Sequence, residues 1–120
     1  MSRDHRKLRA FELADKLLFV IYDLSDHYPR EELYVLASQM RKAALTVPSN
    51  IVEGCGRTSH AEYVNHLNIA QASLRELGYH ISVAVRRGYI NPDRSQEVDQ
   101  LYEDTGKTLG ALLRSLRNGD

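Results

Sequence analysis

Apolar residues return along this chain every three or four positions, the spacing that gathers them on one side of a helix. Ala10, Ala14, Leu17, Ile21, Leu24 and Tyr28 repeat at intervals of 4, 3, 4, 3 and 4, a bundle-type seam that Phe11 and Leu18 widen. A first helix is therefore expected over about 8–27, closed at Tyr28-Pro29 because the residue before proline avoids the helical region. The second, over about 31–56, opens with Glu31 and Glu32, whose charge suits a helix N-terminus. Its stripe is Leu33, Leu36, Met40, Ala44, Val47 and Ile51. Pro48 removes a backbone donor inside this stretch, and Gly54 and Gly56 weaken it. The stripe nevertheless keeps one phase on both sides of Pro48, so a kinked but continuous helix is expected. Ser59 with Glu62 three residues later is a capping-box signature. It opens a third helix over about 59–88, with a seam of Tyr63, Leu67, Ala70, Leu74, Leu77, Ile81 and Ala84. Asn91-Pro92-Asp93 then marks a turn and a fresh start. The fourth helix, about 92–117, carries Val98, Leu101, Thr105, Thr108, Leu112 and Ser115, with Leu109, Leu113 and Leu116 beside them.

No strand-type alternation interrupts this order, so the chain reads as all-α and as one domain over 1–120. Short connections make consecutive helices antiparallel neighbours, and the expected architecture is an antiparallel up-down four-helix bundle. There is more apolar surface than one bundle needs. Leu45 and Val52 lie roughly 140° around the second helix from its main stripe, at about 100° per residue. On the third helix, Ile69 and Val83 form a second line with Glu62 and Glu76 at seven-residue spacing. A helix that is apolar on two sides needs two partners, so a homo-oligomer is expected, with Leu45, Val52, Ile69 and Val83 at its interface.

Composition narrows the partners. Of 120 residues, 42% are hydrophobic and 27% charged, ordinary values for a packed domain, which exclude a disordered chain. No apolar run is long enough for a membrane span. Cys55 is the only cysteine and can form no internal disulfide, which fits a reducing, cytoplasmic setting. A formal net charge of zero argues against a strong general affinity for nucleic acid. Two local basic clusters remain: Arg3, Arg6, Lys7 and Arg9 before the first helix, and Arg86 and Arg87 at the end of the third. Repeated around an oligomer, these residues and Arg57 would meet phosphate backbones with a steep salt dependence and little sequence readout. Tyrosines could stack bases; Tyr22, Tyr28, Tyr63 and Tyr102 sit at packing positions, and Tyr34, Tyr79 and Tyr89 at exposed ones.

The polar residues of the second helix are not scattered. Asn50, Glu53 and Arg57 are spaced i, i+3, i+7 on one strip, and Arg41 and Glu76 fall nearby in the expected bundle. Such groups are costly to bury unless paired, so the five are expected to form a structural polar network that fixes register. Catalysis by Glu53 would need a raised pKa and a reacting neighbour, and the sequence supplies neither. Gly54-Cys55-Gly56-Arg57-Thr58-Ser59 looks like a phosphate loop but lacks the Walker lysine and spacing and follows a helix. The five histidines show no metal spacing, and the Glu-x-x-His signature of metal-binding bundles is absent. No catalytic residue, metal or cofactor is expected.

An ordered series of residues resembles a known family. It runs through Gln39-Met40-Arg41-Lys42-Ala43-Ala44, Val47-Pro48-Ser49-Asn50-Ile51-Val52-Glu53-Gly54 and Gly56-Arg57, then Ser59, Glu62-Tyr63, Leu67, Ile69-Ala70 and Ser73-Leu74-Arg75-Glu76-Leu77. The chain resembles, from about Leu8 to Leu116, the four-helix bundle proteins encoded in intervening sequences of the 23S ribosomal RNA gene. The accessory variability proteins of diversity-generating retroelements are relatives of these. The resemblance implies a homopentameric barrel of bundles. It also implies a binding role, because the retroelement relatives engage a reverse transcriptase and nucleic acid. Those relatives are distinctly basic, and this chain is neutral. The combined expectation is a small non-enzymatic oligomer that binds RNA or DNA backbone or a nucleic-acid-handling protein. The alternative is a protein-binding scaffold with no nucleic-acid affinity.

Overall fold

The structure is a computed structural model and describes residues 3–119. Four long helices account for most of the chain: α1 (Arg9–Ser25), α2 (Ser38–Cys55), α3 (His60–Arg86) and α4 (Pro92–Arg117). A 3-10 turn, His5–Lys7, precedes α1. No strand occurs among the described residues. Each helix packs against two others: α1 on α2 and α4, and α3 on α2 and α4. The molecule measures 45 × 25 × 20 Å. The 27 residues of α3, at about 1.5 Å each, span nearly all of the long axis.

Local chemistry explains the helix starts. Ser59 Oγ accepts from the Glu62 backbone N–H at 3.0 Å, the N-cap bond of the expected box, and donates to Glu62 Oε1 at 3.0 Å, so the two side chains bond each other at the start of α3. Asn91 Oδ1 accepts from the Arg94 N–H at 2.9 Å, with Pro92 in the first turn, where a missing donor costs nothing. Pro48 is buried within α2, which runs through it unbroken. Nearby side chains bond back to the backbone, Thr46 Oγ1 to the Lys42 carbonyl at 2.7 Å and Asn50 Nδ2 to the Thr46 carbonyl at 3.0 Å.

The start of the second helical stretch differs from expectation. Arg30–Glu32 form a 3-10 turn and Leu33–Ala37 a π-helical turn before α2 begins. The wider π turn shifts the phase. Leu36 and Ala37 point into the core while Leu33, expected in the stripe, is exposed together with Tyr34 and Val35. The seams of α1 and α3 are buried throughout. On α4 the seam drifts: Val98, Thr105, Leu109, Leu113 and Leu116 are buried, whereas Ser115 faces out. A straight helix rotates by about 20° per heptad against a 3.5-residue repeat, and over 26 residues that moves the buried line sideways.

Two glycines set close helix contacts. A Cβ on Gly54 would stand 2.9 Å from the His66 Cβ and 3.3 Å from the Tyr63 ring, so α2 and α3 touch almost backbone to backbone there. On α3, the Tyr102 ring of α4 lies over Gly78, where a Cβ would collide with its hydroxyl.

Gly54→Ala is expected to destabilise the fold by about 1–3 kcal/mol through overpacking. That outweighs the roughly 1 kcal/mol of helix propensity it gains, and urea denaturation would read the sign. Burial pushes the Tyr28 and Tyr63 hydroxyls up from 10.0 to about 12. A folded pKa above the unfolded one means their stabilisation is complete below about pH 10 and is lost as pH rises through about 12. Melting temperatures at pH 9 and pH 11 should therefore differ, with a smaller difference in Tyr28→Phe.

Candidate functional site

The polar residues expected to act together on α2 and α3 do not form one network. The structure separates them into local pairs. Arg41 turns toward α1: its Nε donates to Ser25 Oγ at 2.8 Å and its Nη2 to Asp26 Oδ1 at 2.9 Å, with the Tyr22 ring 5.4 Å away. Asn50 Oδ1 meets His66 Nδ1 across the α2–α3 contact at 3.0 Å. Glu53 pairs with Arg57, whose Nη1 also lies 3.7 Å from Glu62 Oε2. Glu76 has His80 Nε2 at 3.9 Å. The reason is distance. From Arg41 to Arg57 is 16 positions, about 24 Å along a helix, so each group takes the nearest partner. Exposed pairs of this kind contribute about 0–1 kcal/mol each.

The basic residues also divide. The Arg3 N–H donates to the Cys55 carbonyl at 2.8 Å, and the Arg3 guanidinium sits 3.9 Å over the Tyr63 ring. These contacts pin the N-terminal segment to the end of α2 and the start of α3. Arg6, Lys7, Arg9 and Arg57 therefore share one pole of the molecule. Arg86 and Arg87 end α3 at the other pole, about 40 Å away. Arg114 and Arg117, which the sequence reading missed, join the first pole, and Arg117 Nη2 donates to Asn68 Oδ1 at 3.0 Å. Their position in the last turn of α4 was the available signal; which helix ends that turn meets is a matter of topology.

Carboxylates already answer part of this charge. Arg6 grips Asp4 through Nε and Nη2, and the guanidinium holds the Asp4 carboxyl below its ordinary pKa. Arg9 pairs with Glu12 at 2.6 Å, and Arg57 faces Glu53 and Glu62. At the far pole, Arg86 Nε donates to the Ser82 carbonyl at 3.3 Å and Arg87 reaches the Tyr89 hydroxyl at 3.5 Å. Lys7 and Arg114 make no ion pair among the described residues.

The apolar candidates give a clearer result. Leu45 (47% exposed), Val52 (39%) and Ile69 (40%) face outward. Val83 does not join them; it is partly buried and packs against the core. It stands in the last turn of α3, one turn from the buried His80 and beside the buried Ala84. Tyr79 is exposed on the same side of α3, and Phe19 on α1 and Tyr34 in the π turn are exposed as well. Tyr22 is exposed rather than packed, whereas Tyr89 is tucked against Tyr28 and donates to Glu32 Oε2 at 2.8 Å.

Reactive chemistry is sparse. Cys55 is buried, and burial pushes its thiol above the ordinary value although Arg3 pulls the other way. Among the described residues, no group of three or more His, Cys, Asp or Glu side chains is arranged to hold a metal ion. No helix among them is long and apolar enough to cross a membrane. An open groove of about 430 Å³ between α3 and α4 is lined by Gly78, Ser82, Arg86, Asp99, Tyr102 and Glu103. Ser95, also in its lining, donates through Oγ to Asp99 Oδ2 at 3.5 Å, a pair four residues apart on the face of α4.

Comparison with known proteins agrees with this fold. A solved structure of a protein of unknown function from the S23 ribosomal protein family of Bacteroides thetaiotaomicron superposes with a TM-score of 0.80. The match covers 88% of this chain and 95% of that one at 21% sequence identity. No curated protein matches. The family model described as 23S rRNA-intervening sequence protein matches residues 6–111, nearly the full described length, and the chain therefore belongs to the 23S rRNA-intervening sequence protein family.

Proposed function

We propose that this protein is a homo-oligomeric, non-enzymatic binding module, an antiparallel up-and-down bundle whose copies associate through the outer faces of α2 and α3. The observation that carries this reading is the exposure of Leu45, Val52 and Ile69 on helices whose other faces already fill the core. Apolar side chains clustered on an outer face mark an interaction surface. A pentamer, the number that the family resemblance implies, fits a pair of outer faces that point in different directions. The buried single thiol of Cys55 is compatible with the reducing cytoplasm, where we place the protein.

The partner class we favour is the phosphate backbone of RNA or DNA. Its support is the pole carrying Lys7, Arg57, Arg114 and Arg117, which a ring would repeat once per chain, and a family description that refers to ribosomal RNA. A second reading, a protein-binding scaffold without nucleic-acid affinity, draws on the carboxylates facing Arg6, Arg9 and Arg57 and on the zero net charge.

Light scattering of the purified protein should give a multiple of the chain mass, and Leu45→Glu or Ile69→Glu should reduce it to one chain with helicity intact; a single-chain mass for the unaltered protein would defeat the proposal. Anisotropy titrations with structured RNA and duplex DNA separate the two partner readings. Backbone binding should fall steeply between about 50 and 200 mM salt. Lys7→Ala or Arg114→Ala should weaken it similarly for all sequences and lower the salt slope by about one each. Absence of binding at low salt would leave the scaffold reading.

A further inference from the structure

We infer that the outer stripe of α2 docks head to tail on the outer stripe of α3 in a second copy of the chain, with Lys42 of one chain facing Glu76 of the next. The inference rests on the self-association proposed above and specifies its geometry.

Both stripes have the spacing of a coiled-coil seam. On α2, Ser38, Lys42, Leu45, Ser49 and Val52 are exposed and follow one another at 4, 3, 4 and 3 residues. On α3, Asn65, Ile69, Ala72, Glu76 and Tyr79 are exposed at the same intervals. Neither line is used inside the bundle, whose core takes the opposite faces. Two such lines on one chain, different in sequence, make a heterologous interface, which closes into a ring when the rotation allows.

The contacts within one chain fix the register. Glu32 meets Tyr89, Asn50 meets His66, and Gly54 lies against Tyr63. Numbers rise along α2 as they fall along α3, and interpolation puts position 42 level with position 76. Rotation about an axis parallel to the bundle leaves every residue at its own height. A neighbour's α3 therefore presents Glu76 opposite Lys42. Lys42 has no ion-pair partner among the described residues, and Glu76 has only His80 at 3.9 Å.

The same register sets large side chains against small ones. Leu45 comes level with Ala72, Ser49 falls beside Ile69, and Ser38 falls beside Tyr79. This alternation is what knobs-into-holes packing between two helices requires, and the one basic residue of the α2 stripe falls opposite the one acidic residue of the α3 stripe between Asn65 and Tyr79. Shape and charge agree on one alignment.

The test is the light-scattering mass of Lys42→Glu, of Glu76→Lys, of the double variant, and of an equimolar mixture of the two single variants. Each single reversal places like charges face to face and should weaken association about tenfold or more. The double variant should regain it. The mixture should regain most of it too, because the new carboxylate at position 42 of one variant then meets the new ammonium at position 76 of the other. If the double variant recovers but the mixture stays dissociated, the pair lies within one chain and the inference is overturned. If neither reversal changes the mass while Leu45→Glu still breaks the oligomer, self-association survives and this register falls. A single-chain mass for the unaltered protein removes both.

Discussion

Gly54 has no side chain, and the His66 Cβ fills the space that one would need. That contact holds α2 and α3 at close range near one pole. With the two backbones so near, Asn50 can reach His66 directly, and Tyr63 can pack under the end of α2 beside Cys55 and Arg3. The register of the pair follows, and with it the direction of every other face. Met40, Val47, Ile51, Leu67, Ala70 and Leu74 turn inward, so the side chains half a turn away must turn outward. The exposed apolar groups of α2 and α3 are the geometric counterpart of the core, set by the same helical rotation.

The polar chemistry is distributed rather than convergent. Pairs such as Arg41 with Asp26 and Arg94 with Asp23 tie neighbouring helices at their edges, while Arg57 serves the turn between α2 and α3. A catalytic centre needs several groups aimed at one point in a site that excludes water. Here several ionisable groups at the ends and edges of the bundle take local partners. What distinguishes this surface is the apolar exposure of Leu45, Val52 and Ile69.

Much of this was legible in the sequence. The α1 and α3 seams, the caps at Ser59 and Asn91 and the continuity of α2 through Pro48 follow from spacing and local chemistry, and the structure has them in place. The π turn at Leu33–Ala37 was not legible. A one-residue slip in hydrogen bonding leaves no compositional mark, yet it rotates Leu33 out of the core. The five-residue polar network was overread, because shared helical phase does not bring groups together along the axis. Val83 keeps the heptad spacing of the outer line but is partly buried against the core, unlike Ile69. The gathering of Lys7, Arg57 and Arg114 at one pole required knowing which helix ends meet.

The hydrogen bond from Arg3 to the last residue of α2 links the protein's structure to the order of its synthesis. Arg3 leaves the ribosome well before Cys55 exists, and its backbone donor has no native partner until α2 has been made. Closing so long a loop costs entropy that the early chain cannot offset alone. The N-terminal segment thus acquires this contact only once the end of α2 has been made. Segments joined to the chain ahead of Arg3 would act on the far end of α2, a place remote in sequence and adjacent in space.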